Sequence, residues 1–385
     1  MDPTGGASCV AGGADTSSAD VLIVGAGLAG LSAALRLCDM QDAGELAAGL
    51  LHIVILEARD RVGGRLYAPP LGGGAMDVGG AWAWYRSFVE VPKLAERVGV
   101  EAFMQRDKGR HVIDYGIQGI RTITDPLDAP KMRFKGGAYA ITTKMAEKLS
   151  SRGVSIVTSA QVKSITGGTG VAVECQDGRR WEASAVLVAV PPRVALPPMV
   201  EWTPPIDVKL QKVMRQTPTW MAETTKFLAV YSKPFWREEG FSGDGMSQSG
   251  PLQQIYDSCD GDGEGGPFAL CAFIYNDATR AQDDAELKAA ALSQLGRMWG
   301  AHAEKPEEVH IHRWGAEDFT AGQGGGRGGG HDAMGHAPLR ETVIPGVWQC
   351  AAETDDHHPG VMEGAILAGR RAAEQVATSG LLGSR

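Results

Sequence analysis

Residues Val21 to Leu37 read VLIVGAGLAGLSAALRL, and the fold turns on how this stretch is parsed. Val21-Leu22-Ile23-Val24 is a short apolar run of the kind that forms a buried strand. Gly25-x-Gly27-x-x-Gly30 follows at once, and Leu28, Leu31, Ala34 and Leu35 then recur at helical spacing. Strand, glycine turn and helix in that order are the context in which the glycines predict a dinucleotide site rather than a bare tight turn. Gly25 serves the turn, Gly27 lets backbone approach a pyrophosphate, and Gly30 lets helix pack closely on strand. The helix N-terminus then faces the phosphates. His52–Leu56 predicts the next parallel strand, and Glu57 at its end offers a carboxylate to ribose hydroxyls. The polar stretch Asp39 to Gly49 lengthens the connection between helix and strand.

The chain of 385 residues is long enough for two domains, and its composition is that of an ordinary globular protein. A net charge of −9 with no basic cluster argues against a nucleic-acid partner. Six scattered cysteines show neither a Cys-x-x-Cys pair nor zinc spacing, so no metal is expected and a reduced compartment fits best. No apolar run reaches the length of a membrane span. Residues 1–19, small and polar, lack the charged and apolar parts of a secretory signal and read as a disordered leader. The expected location is cytoplasmic, and the sequence leaves the oligomeric state open.

Beyond Glu57, Arg59, Arg61, Gly63, Gly64 and Arg65 form a loop suited either to an anionic ligand or to plain solvation. Asp77-Val78-Gly79-Gly80-Ala81-Trp82 places paired glycines beside an aromatic, a pattern that suits close backbone approach to a flat ring. Arg86–Gly99, Ala140–Leu149 and Ala285–Trp299 predict helices, the last opened by Asp283 and Asp284. Val154–Val157, Ala160–Ile165 and Ala185–Val190 predict strands, with a hairpin about Asp177-Gly178. Asp260–Gly266 and Gly322–Gly330 are loops by composition.

GAGLAG, LEARDRVGGR and DVGGAW in this order resemble the flavin-dependent amine oxidases, the family of monoamine, polyamine and L-amino-acid oxidases. Val347–Thr354 and Gly360–Ile366 are similar to that family's closing segment. The resemblance implies an α/β fold: a Rossmann-type FAD-binding domain with a discontinuous mixed α+β substrate domain. It divides the chain into 20–85, 136–196 and 340–378 for FAD and 86–135 and 197–339 for substrate, with a tail at 379–385. It implies flavin contacts at Arg59, Gly64, Arg65, Gly79, Gly80, Ala81 and Trp82, and at Glu353, Val361 and Met362 in the closing segment. Val162, otherwise an ordinary core valine, matches a backbone contact to adenine.

Thr225–Tyr231 alternates like a strand and precedes Pro234-Phe235-Trp236. The resemblance makes Lys226 the lysine that holds a water against flavin N5. Read from the residues alone, it is either a desolvated proton-transfer group or an edge lysine pointing to water. The family's aromatic cage has no counterpart: Val361 stands at one position and Ala321–Gly324 at the other. Trp82, Trp84, Trp220 and Phe319 are the candidate replacements, and Trp82, Phe319, His357 and His358 the expected substrate contacts. Gln323 or a glycine stands where some relatives carry a flavin-linking cysteine, so non-covalent FAD is expected. The expected reaction is oxidation of an amine C–N bond, with molecular oxygen as the second substrate. The missing cage predicts that aliphatic amines outperform arylalkyl amines. A flavin desaturase or carbon–carbon oxidase, and a non-catalytic FAD-bound interaction protein, remain as alternatives.

Overall fold

The computed structural model describes residues 16–46, 51–261, 265–275, 282–322 and 329–382. Its first sheet has nine strands among the described residues. Five run parallel, in the order Ser155–Val157, Ile53–Leu56, Thr16–Val24, Arg180–Val188, Val347–Gln349. Alternate residues divide between the two faces, as the pleat requires. Val21, Ile23, Ile53, Ile55 and Leu187 enter the core beneath the helices, while Leu22, Val24, Val54, Leu56 and Val188 enter a second core on the opposite face. A parallel sheet covered on both sides therefore reads as continuous apolar runs. The opening helix, Leu28–Asp42, packs against the closing helix, Met362–Thr378.

Thr16–Ala19, expected in the leader, belong to the first strand and pair with Arg180–Ala183; the notional boundary fell inside a nine-residue strand. The hairpin arm and the apolar run after it are one strand, Arg180–Val188. In the expected tail, Leu382 is buried in the helix-side core. Residues 1–15, 47–50, 262–264, 276–281, 323–328 and 383–385 lie outside the described residues, and with them most of the expected leader and parts of the two loops.

A seven-stranded sheet carries the other half of the molecule. Its order is Glu308–Arg313, Thr225–Tyr231, Phe268–Ile274, Gln254–Asp257, Phe241–Ser247, Arg110–Asp114, Ile120–Ile123. Phe227, Ala229 and Tyr231 point to one face and pack under the Asp284–Trp299 helix with Leu287, Leu295 and Trp299. Each large apolar side chain buried there contributes roughly 1.5–3 kcal/mol. Asp283 caps that helix, accepting the Ala285 and Glu286 N–H groups at 2.9 Å. The opposite face presents Leu228, Val230, Ala269, Cys271 and Phe273 to Met76, Val78, Ala81 and Trp82. Lys226 lies on that second face. Thr225–Tyr231 is an interior strand, bonded on both sides, so the edge-lysine reading fails.

Candidate active site

A cavity of about 950 Å³ runs from the glycine turn to the second face of the seven-stranded sheet. At the glycine-turn end the glycines make a cradle. A Cβ on Gly30 would sit 2.1 Å from the Gly25 carbonyl, whereas one on Gly27 meets nothing nearer than 4.0 Å. Gly30 is thus closed by packing while Gly27 is open toward the cavity, the arrangement a pyrophosphate on the helix N-terminus needs. Glu57 is buried beside it and accepts the Ala26 N–H at 2.8 Å and the Arg59 N–H at 2.9 Å. Gly25, Gly64 and Val162 also line the cavity.

Arg59 does not stand free for phosphate. Its guanidinium pairs with Glu317 at 2.8 Å and bonds Thr320 at 2.9 Å. Phe319 lies under that guanidinium, 5.4 Å from it, and packs with the core holding Val162 and Val190 rather than with the Trp82 cluster. Phe319 is therefore no part of the wall around Lys226. Arg65 pairs with buried Glu353 at 2.7 Å, and Glu353 also accepts the Trp220 N–H at 3.4 Å. Gly79 is fixed by contact: a Cβ there would lie 1.9 Å from the Arg65 carbonyl. Gly80, Ala81, Val361 and Met362 line the cavity where the closing helix begins.

Lys226 is a buried cation at the sheet-side end of the cavity. It is 3% exposed and donates to the Gly79 carbonyl at 2.5 Å and to the Asp77 carbonyl at 3.5 Å. Burial pushes its ammonium below the ordinary lysine range, against the pull of Cys271 and Asp77. The Asp77 carboxyl is pushed up by burial and accepts the Ala138 N–H at 2.9 Å. Cross-strand register sets His312, Lys226, Phe273 and Gln254 in one row across the sheet. Trp82 stands over the row, 5.1 Å from Tyr256 and 5.7 Å from Phe273 between ring centres, its Nε1–H on Gln105 at 3.0 Å.

Tyr256, Phe273 and Tyr275 are the residues that sequence reasoning missed. Phe273 and Tyr275 stack at 5.6 Å with 8° between planes, and all three line the cavity. This aromatic wall removes the basis for expecting poor arylalkyl substrates. Of the two histidines, His358 sets its ring edge against Phe88, whereas the His357 side chain is 81% exposed. Both backbone N–H groups are held by Asp355, and both residues lie at the cavity's margin. Gln323 and Gly324 lie outside the described residues.

His312 is held neutral. Burial drives its pKa down to about 4, and its Nε2 has no hydrogen-bond partner, so the 3.7 Å approach to Glu317 is no ion pair at neutral pH. The unfolded chain binds a proton there below about pH 6.5, and the folded chain only below about 4. His312 therefore costs stability as pH falls through that window. Melting temperatures from pH 7 to pH 4 are expected to fall less for His312→Gln than for the parent; equal slopes refute the burial argument.

The chain matches the sequence profile of the flavin-containing amine oxidoreductases over residues 28–122 and 116–377. A Mycobacterium tuberculosis protein named as a flavin-containing monoamine oxidase, AofH, is 33% identical over 255 residues, 65% of this chain and 53% of the relative. The chain thus spans about half the length of that relative. Putrescine oxidase of Kocuria rosea is 25% identical over 94% of this chain and 96% of its own. A solved structure of putrescine oxidase with putrescine bound superposes with a TM-score of 0.80 at 23% identity, covering 94% and 99% of the two chains, a likeness of fold. No helix among the described residues is long and apolar enough to cross a membrane.

Proposed function

The chain belongs to the flavin-containing amine oxidoreductases, and from that premise we propose that it is an FAD-dependent oxidase of an amine C–N bond. The observation that carries this reading is Lys226, a buried ammonium beside Gly79, set into an aromatic wall at the end of a dinucleotide cradle. FAD bound there would supply the redox chemistry, uptake of a hydride from the carbon next to nitrogen and delivery of the electrons to oxygen, with an imine, its hydrolysis products and hydrogen peroxide as the outcome. Gly27 and Glu57 would hold the pyrophosphate and ribose, and the start of the closing helix the flavin ring. The FAD is held without a covalent link.

Lys226 holds a water and exchanges a proton at its Nζ; burial lowers the proton affinity of that nitrogen below the ordinary lysine range, which eases the exchange. Trp82, Tyr256 and Phe273 orient the substrate and exclude water from it. The test is a screen of the FAD-loaded protein, without oxygen, against amines and amino acids. Bleaching by at least one, with colour and peroxide returning on aeration, is the expected result. Failure of every amine to bleach the flavin favours a non-catalytic role, and a carbon–carbon double bond in the product favours a desaturase. Acid should release free FAD; flavin remaining on the denatured chain refutes non-covalent binding.

A further inference from the structure

Two of the protein's own cations already sit on the aromatic wall. Lys226 Nζ lies 4.9 Å from the centre of the Trp82 ring and 5.0 Å from that of Phe273. Lys131 Nζ lies 4.1 Å from the centre of the Tyr256 ring and 5.9 Å from that of Trp82. The two ammonium groups share one indole, so their separation cannot exceed the sum of their distances to it. Lys131 reaches the cavity from the Lys131–Phe134 strand and is 5% exposed.

Its hydrogen bonding is incomplete. An ammonium has three N–H donors, and Lys131 gives one to Asp128, at 2.8 Å. The Asp128 side chain is 36% exposed, so water screens that carboxylate more than it screens the lysine. Behind the wall, burial pushes the Asp244 carboxyl up to about 7, so at neutral pH it offsets Lys131 only in part. The cavity's other cations, Arg59 and Arg65, are taken by Glu317 and Glu353. The sheet-side end therefore sets two ammonium groups, Lys131 and Lys226, against one cavity-lining carboxylate, Asp128, with donors to spare. On Trp82, Tyr256 and Phe273, ring surface that would attract a substrate's cation already carries one of the protein's own.

Resting on the amine-oxidase reading of this site, we propose that Lys131 is a specificity-determining residue that receives a carboxylate at the substrate's end remote from the amine and repels a second ammonium. The site then takes ω-amino acids and rejects diamines.

Pentylamine, 5-aminopentanoate and 1,5-diaminopentane share one chain length and differ in remote charge. Second-order rate constants for anaerobic bleaching are expected to rank the amino acid first and the diamine last, separated by about tenfold or more. Lys131→Met should collapse that ratio, and Asp128→Asn, which frees Lys131, should widen it. The proposal is overturned if the diamine ranks first, if the ratio survives Lys131→Met with the flavin spectrum intact, or if Asp128→Asn narrows it. Asp128→Asn alone decides should Lys131→Met fail to fold. Bleaching by other amines but by none of these three also overturns it. Failure of every amine brings down the oxidase reading itself, a distinguishable outcome.

Discussion

Lys226→Met is expected to keep the fold and the flavin while slowing turnover by about 10²- to 10⁴-fold, the usual span for loss of a positioned acid–base group. Methionine matches the length and apolar contact of the lysine stem between Trp82 and Phe273, so the wall stays packed. What disappears is the ammonium bonded to the Gly79 carbonyl and the proton it exchanges. Rapid mixing separates the consequences: anaerobic bleaching reports amine oxidation, and return of colour with oxygen reports reoxidation. At least one of these phases should slow. Near-parental rates in both, with the flavin spectrum unchanged, would reduce Lys226 to a packing residue.

Asp257→Ala is expected to cost about 3–5 kcal/mol of stability, because two buried donors lose their acceptor at about 1–3 kcal/mol each. Asp257 is 1% exposed and accepts four bonds: Trp236 Nε1–H at 2.9 Å, Arg237 at 2.7 and 3.0 Å, and the Cys259 N–H at 2.9 Å. Alanine leaves the buried Trp236 and Cys259 donors unsatisfied and removes two hydrogen bonds of Arg237. The effect should also reach the cavity. The Asp257 carbonyl accepts from Gln105 at 2.9 Å, and Gln105 in turn accepts from Trp82. A fall in the denaturant midpoint is therefore expected together with weaker flavin retention. A loss below about 1 kcal/mol would mean that the neighbouring structure relaxes around the gap.

The sequence made the dinucleotide half legible because its signals are local. Strand, Gly25–Gly30 turn and helix are contiguous, and Glu57 closes the next strand. Thr225–Tyr231 was equally readable from its alternation, with Lys226 on the face opposite Phe227. The aromatic wall was not. Tyr256 and Phe273 meet Trp82 only through strand order and register, which no spacing within their own segments encodes. Arg59 shows the same limit in charge: its partner, Glu317, lies 258 residues along the chain. Lys131 carried no motif, and its place beside Tyr256 follows from a small three-stranded sheet.

The first sheet is finished by a segment made long after its opening strand. Arg36 of the opening helix bonds Glu374 of the closing helix, 338 residues later. Val186–Val188, the end of the Arg180–Val188 strand that the Val171–Cys175 hairpin arm does not pair, likewise lack one neighbour until Val347–Gln349 emerges. On the ribosome, then, the nucleotide half must wait with an open strand edge and an uncovered helix face while the intervening sheet is made. Such long-range closure slows folding, and it places the waiting chain among species prone to aggregate. Yield in a heterologous host should consequently respond to growth temperature and chaperone supply more than to changes in surface charge.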